Sequence, residues 1–345
     1  MPYDAPLRLR LDGDALVANW RTWAALSGPA ACGAAVKADG YGLGAAEVVR
    51  RLATAGCRDF FVASWAEASQ LGHMCPGVSL SVLHGVRDRD MDLALASPAR
   101  PVLNSPEQVR RWRDTGRPCD VMVDTGMNRL GLTPEQATSG LLDGLDLHTL
   151  HSHLACADEP GHPLNAAQAA ATRAVSDGLG SPRTSLANSA GVLLGGDFHF
   201  DLTRPGLALY GGVPGPGGEG RVRPVARPEA EVLQVRDVPV GESVGYGASW
   251  VAPRPSRIAI INLGYADGVL RAWGPGGHAT VNGARCPAVG RVSMDLIALD
   301  VTDAGAREGD WAALDDDLPA TAARTGLTQY ELLTTLAGRF DRRWA

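Results

Sequence analysis

The stretch Cys32-Gly33-Ala34-Ala35-Val36-Lys37-Ala38-Asp39-Gly40-Tyr41-Gly42-Leu43-Gly44 runs from a short apolar segment through one lysine into a glycine-rich turn. Ala45–Ala55, which follows, carries helical spacing, so the passage reads as strand, turn and helix, one β/α unit. Working outward, the same alternation recurs through the first 210 residues. Candidate strands fall at 34–37, 60–63, 80–83, 101–103, 121–124, 147–153, 185–187 and 200–204, with a further helix over 166–179. Two helices open alike, Ser105-Pro106-Glu107-Gln108 and Thr133-Pro134-Glu135-Gln136, each with a cap, a proline in first position and a glutamine in third. Eight strand–helix repeats are the pattern of an α/β (β/α)8 TIM-type barrel, although an open doubly wound sheet alternates similarly. Polar placement favours the barrel. Lys37, Asp124, His153, Asn188 and Arg204 all sit at or just after the C-terminal end of an expected strand, where a barrel gathers them at one mouth.

The pattern breaks at Gly211-Gly212-Val213-Pro214-Gly215-Pro216-Gly217-Gly218, which reads as a linker. Beyond it the period is two, over 231–238 and 257–263, then across Asn282-Gly283, a strong two-residue hairpin signal. One amphipathic helix is expected near 329–336, with Leu332, Leu333 and Leu336 on one face. The expected division is an N-terminal segment, 1–8, packing on the C-terminal domain; a barrel over 9–212; and a mainly β domain over 213–345.

Composition bounds the function. With 345 residues, 45% hydrophobic and 20% charged, the chain is an ordinary globular protein rather than a disordered or collagen-like one. A formal charge of -6 and the absence of a basic, aromatic-interleaved window argue against nucleic acid. The charged start, Arg8-Leu9-Arg10-Leu11-Asp12, does not suit a signal peptide, and no run of about 18 apolar residues exists, so a cytoplasmic protein without a membrane partner is expected. Six scattered cysteines (Cys32, Cys57, Cys75, Cys119, Cys156, Cys286) form no C-x-x-C pair, which disfavours a disulfide framework or zinc knuckle.

Of 32 cations, only Lys37 is a lysine. On most surfaces either cation serves, but only lysine offers an amine that can lose its proton and attack a carbonyl. At a strand end inside a barrel mouth such an amine is partly desolvated, which lowers its pKa. Farther along, Asn188-Ser189-Ala190-Gly191 places a hydroxyl at the entry to a short helix, and Arg204-Pro205-Gly206-Leu207 follows the next strand. Together they suit a phosphate, and barrels commonly bind phosphate after strands seven and eight; the alternative is that Ser189 merely caps its helix. His151-Ser152-His153 invites a metal reading with Asp158 or Glu159, but no later histidine and aspartate complete a cage, so no metal is expected, and only one of the two histidines is expected to enter a common site. Tyr246 and Tyr265 are each flanked by glycine, a common setting for a presented side chain.

Taken in order, AVKADGYGLG (35–44), VDTGMNRLGL (123–132), HSHLACADE (151–159), ANSAG (187–191), RPGLALYG (204–211), VGYG (244–247), GYADG (264–268) and GRVSMD (290–295) resemble the alanine racemases, pyridoxal-phosphate (PLP) enzymes of bacterial cell-wall metabolism. A YELL…R..R ending extends the likeness nearly to the C-terminus. The resemblance implies interconversion of L- and D-alanine by two bases, D-alanine for peptidoglycan, and a homodimer in which each site is completed by the other subunit. By position, Lys37 is the Schiff-base lysine and one base, and Tyr246 from the partner is the other. Tyr41, Asn188, Ser189, Gly206 and Leu207 line the phosphate side, Arg204 faces the pyridine nitrogen, and His153 contacts Tyr246 or the ring. Arg129 reaches the cofactor's phenolic oxygen and the substrate carboxylate, with Met294 from the partner. Asp158, Tyr265, Arg271, Arg291 and Asp295 match entryway positions. An arginine against the ring nitrogen, in place of the carboxylate of PLP-barrel lyases, weakens the electron sink and disfavours side reactions.

Three positions depart from the pattern. Many relatives carry a lysine, often carbamylated, where this chain has Met122, so a bound anion such as chloride, held near Asn128, is expected to orient Arg129. A tyrosine that usually reaches the phosphate aligns with Gly338, which leaves a roomier pocket and admits serine as an alternative substrate. Ser293 stands where many relatives have cysteine, a change expected to be minor.

Overall fold

The computed structural model describes residues 5–71, 77–315, 317–336 and 338–345. Cys75 and the first four residues of the expected N-terminal segment lie outside them. The chain forms two compact units, Leu16–Arg223, and residues up to Ala15 with Pro224–Ala345.

In Leu16–Arg223 the strands Ala31–Cys32, Ala34–Ala35, Asp59–Val62, Ser79–Val82, Arg100–Leu103, Pro118–Met122, Asp146–His151, Thr184–Ser185 and Leu202–Thr203 form one parallel sheet, in which each strand from Ala34–Ala35 onward pairs with the next. Ala31–Cys32 pairs with Leu202–Thr203 while Ala34–Ala35 pairs with Asp59–Val62, so the two pieces, interrupted at Gly33, are one strand that closes the sheet into a barrel. Gly33 is required at the break: a Cβ there would lie 2.8 Å from the Asp59 carbonyl oxygen. Each expected strand is present, with ends shifted by a few residues. Helix Ala45–Ala55 buries Ala45, Val48, Val49 and Leu52, the apolar face its spacing required.

The two similar helix starts behave differently. Thr133 and Gln136 form a reciprocal capping box, whereas Ser105 caps Gln108 but the Gln108 side chain accepts from Asn104 N–H instead. The barrel unit extends to Arg223, past the expected boundary at 212, because Asn19 donates to the Arg223 carbonyl and accepts from its N–H, and Val222 packs beside Trp23 and Ala187.

In the other unit, the 13-residue strand Ala226–Val238 pairs with Leu7–Leu11 and Trp311–Leu314 along one half and with Ser256–Ile261 along the other. The strand Leu7–Leu11 thus belongs to this sheet, beyond the expected limit at residue 8. Asn282 and Gly283, both at positive φ (50° and 79°), turn His278–Val281 into Ala284–Val289, the conformation that two-residue hairpin favours. Two helices are present where one was expected: Leu318–Thr325 precedes Gln329–Thr334, and its cap, Asp317 with a proline in the first turn, was a readable signal. Leu333 and Leu336 are buried as expected, Leu332 half-buried. Among the described residues no helix is long and apolar enough to cross a membrane.

Candidate active site

Lys37 follows the first barrel strand and opens a turn that runs left-handed: Ala38, Asp39, Gly40 and Tyr41 have φ of 53°, 52°, 62° and 57°. Left-handed backbone costs a non-glycine residue about 1 kcal/mol or more, so the turn exists because its surroundings hold it. Glu67 accepts from Ala38 N–H (2.8 Å) with one carboxylate oxygen and from Ala63 N–H (2.7 Å) with the other, while Asp39 accepts from Ala45 N–H at 2.8 Å. Neither acid was singled out in the sequence. The turn leaves the Lys37 side chain accessible in the barrel mouth, yet partial loss of hydration and the Arg129 charge lower its ammonium pKa.

On the far side of the mouth Asn188, not Ser189, caps the short helix, accepting from Gly191 N–H at 2.8 Å. The Ser189 hydroxyl is thereby released to accept from Gly206 N–H (2.9 Å) and Ala208 N–H (3.3 Å). Tyr41 stacks on Tyr210 (4.5 Å between centroids), and Tyr210 is pinned through its hydroxyl to Ala35 O at 2.8 Å. A Cβ at Gly206 would fall 2.2 Å from the Tyr41 hydroxyl, so glycine is what lets backbone, tyrosine and serine converge. Leu207 follows, fully buried. A hydroxyl pair, backbone N–H groups and a helix start in one cradle fit a phosphate.

Arg204 is buried below this cradle. It donates to Ser185 Oγ, to the Ser152 carbonyl (2.6 Å), to the Leu186 carbonyl (3.5 Å), and toward Nδ1 of His151 (3.3 Å) and of His153 (3.4 Å). Among the described residues no carboxylate lies within salt-bridge reach of it; burial lowers its pKa to about 10. Both histidines therefore face one arginine, which corrects the expectation that only one enters a common site: residues two apart along a strand share a face. Among the described residues no group of three or more histidine, cysteine, aspartate or glutamate side chains is disposed to hold a metal. Burial and the Arg204 charge push His153 down to about 3, with smaller contributions from Arg129 and Lys37.

Arg129 lies in a loop organised by Asp124, whose carboxylate accepts from Gly126, Met127 and Arg129 N–H (2.9, 2.8 and 2.6 Å). Its guanidinium is exposed, and among the described residues none accepts a hydrogen bond from it. Met122 is buried at the end of its strand, and Asn128 takes a positive φ of 56°. Asp158 is exposed after the His153 loop.

The remaining candidates belong to the other unit and group there. Tyr246 is 74% exposed on a turn whose Gly247 lies against Arg291, where an added Cβ would come 3.2 Å from the guanidinium carbon. Tyr265 and Ala266 donate to the carbonyls of Ser293 and Met294 (3.0 and 2.9 Å), joining the GYADG turn to the GRVSMD loop. Arg339 locks that junction, donating to Asp267 at 2.7 Å and to Asp295 at 2.9 Å. Tyr265, Arg271, Arg291, Met294 and Asp295 are all exposed. Gly338, beside Arg339, has open space where a side chain would stand.

Residues 11–214 match the family described as alanine racemase, N-terminal domain, and residues 225–344 match alanine racemase, C-terminal domain. An alanine racemase of Jannaschia sp. is 45% identical over 97% of this chain and 97% of its own length, and one of Methylobacterium sp. is 42% identical over 98% and 97%. The crystal structure of alanine racemase from Bartonella henselae with covalently bound pyridoxal phosphate superposes with a TM-score of 0.92, 36% identity and coverage of 99% of this chain and 100% of that one. With both of its units matched and its relatives aligned end to end, the chain belongs to the alanine racemase family.

Proposed function

We propose that this chain is a PLP-dependent alanine racemase, interconverting L- and D-alanine. The observation that carries the reading is the chain's one lysine at the end of the first barrel strand, sharing a mouth with the Tyr41, Ser189 and Gly206 cradle and with a buried Arg204 that has no carboxylate partner among the described residues. The residues fit the cofactor: the cradle would take its phosphate, aided by Asn188 through the helix it caps and by Leu207 N–H, Lys37 would take its aldehyde, and Arg204 would lie toward its ring. When bound, PLP delocalises the electron pair left at the substrate's Cα.

The chain's own residues move the proton. Racemisation needs the Cα proton taken from one face and returned on the other, so two bases must flank the carbon. Lys37, with its lowered pKa, serves one face, and Tyr246 of the partner subunit serves the other, oriented in part by His153. Arg129 and the Met294 backbone of the partner subunit hold the substrate carboxylate. Tyr265, Arg271, Arg291, Asp295 and Asp158 line the approach, which requires a homodimer with shared sites. Chloride near Asn128 orients the exposed Arg129 guanidinium. The setting is cytoplasmic, the product D-alanine for peptidoglycan. The space at Gly338 supports a second reading in which serine is also accepted, decided by the ratio of kcat/KM for the two amino acids.

Borohydride treatment of the PLP-loaded enzyme tests the assignment. It fixes the cofactor covalently on the Lys37 peptide, and Lys37→Arg abolishes both that attachment and racemisation. Visible cofactor attachment or D-alanine formation in Lys37→Arg contradicts it.

A further inference from the structure

His151 is the half of the His-Ser-His motif for which the proposed chemistry has no use, and it is fully buried. Its ring packs edge-on against Phe61, 5.7 Å between centroids at 89°, and the Arg204 guanidinium lies 6.0 Å from the same Phe61 ring. Water is thus kept from both.

The direction of the hydrogen bonding follows from the donor set. Arginine has only donors, so a guanidinium 3.3 Å from His151 Nδ1 requires that nitrogen to accept, and the proton sits on Nε2. That Nε2 is buried with no hydrogen-bond partner among the described residues, and it is aimed at Asp120, whose Oδ2 is 3.6 Å away. Asp120 is an unusual residue for its place, an acid with no exposed surface inside the strand Pro118–Met122. It is held as an anion by Ser81 Oγ (2.5 Å) and Arg100 Nε (3.2 Å), with His148 Nδ1 at 3.7 Å. Although burial alone would raise its pKa, His148, His151 and Arg100 together hold it well below the carboxylate range.

We propose that Asp120 and His151 form a buried relay that delivers negative charge to Arg204, with His151 a positioning residue that sets how strongly that arginine presents its positive charge to the cofactor ring. The inference rests on the reading that Arg204 faces the cofactor. A bare arginine cation with no anion would pull hard on the ring electrons, whereas one whose charge is partly offset through a polarised imidazole pulls less. The relay works only if His151 stays neutral. Burial pushes it down to about 4; Arg204 and Arg100 add to that and Asp120 opposes it. His153, on the other guanidinium nitrogen, likewise accepts through Nδ1 but has no carboxylate behind it among the contacts of the described residues, so the two histidines are not equivalent.

Selective 15N labelling of histidine in the PLP-loaded enzyme, with His151 assigned through His151→Gln, reads the tautomer directly. From about pH 6 to about pH 9 the resonances are those of an unprotonated Nδ1 and a protonated Nε2, without titration. A protonated Nδ1, or an imidazolium in that range, overturns the relay. The second arm is the visible absorption of the bound cofactor. Asp120→Asn leaves more uncompensated positive charge beside it, so the pH midpoint of its band moves down relative to the parent, and turnover falls on the order of tenfold. An unchanged midpoint with cofactor retained means that Asp120 and His151 only support the fold, and overturns the proposal. If the parent enzyme shows no borohydride-fixed cofactor on Lys37, the functional assignment fails instead, and the tautomer still decides whether the relay exists.

Discussion

Two arginines of the barrel unit are held in opposite ways. Arg204 is buried and has five protein acceptors around its guanidinium, two of them histidine nitrogens that must accept. Arg129 has its backbone N–H fixed by Asp124 at 2.6 Å, but its side chain is exposed and no described residue accepts from it. The contrast separates two kinds of electrostatic work. A group that faces the same atoms throughout a reaction gains from being locked before the substrate arrives, since a preorganised charge needs no reorganisation at the moment of reaction. A group that must receive and release a carboxylate is left open, its last partner coming from outside.

Substitution at the two sites separates these roles. Arg204→Gln lowers kcat by about 100-fold and shifts the cofactor spectrum, the scale of removing one preorganised charge. Arg129→Ala acts mainly on substrate binding, raising KM for alanine by about tenfold and abolishing the response of activity to chloride. Steady-state kinetics with and without chloride check both, and a larger KM effect at Arg204 than at Arg129 would reverse the comparison.

A further effect, on stability, depends on pH. His151 folds neutral with its pKa pushed down to about 4, whereas the unfolded chain titrates near 6.5. Its contribution is therefore complete above about pH 6.5 and is lost as pH falls toward 4, because the unfolded state takes up the proton first, a loss on the order of 3 kcal/mol. Urea unfolding of the enzyme at steps across that window shows the decline, and His151→Gln flattens it. A decline of equal size in the variant would assign it to other groups.

Much of this architecture was legible because strand–helix alternation and turn chemistry are local. The barrel strands, the Ala45–Ala55 helix and the Asn282-Gly283 hairpin follow from spacing alone. What was missed depends on neighbours brought in from elsewhere. Three non-glycine residues in a left-handed turn after Lys37 cannot be read from Ala38, Asp39 and Tyr41, because Glu67, some thirty positions on, helps hold them there. Whether Ser189 or Asn188 caps its helix turns on one residue of register. The Asp120 carboxylate did leave a signal, an acid inside the apolar run Cys119-Asp120-Val121-Met122-Val123, but its meaning appears only with His151 and Arg100 beside it.

The central claim is that two bases exchange the Cα proton of alanine. Incubating the PLP-loaded enzyme with L-alanine in D2O and resolving the products by chiral chromatography and mass spectrometry tests it most directly. The expected product is D-alanine carrying deuterium at Cα, with no carbon dioxide or ammonia released. Loss of L-alanine with release of either, or deuterium incorporation with the L configuration fully retained, would contradict it.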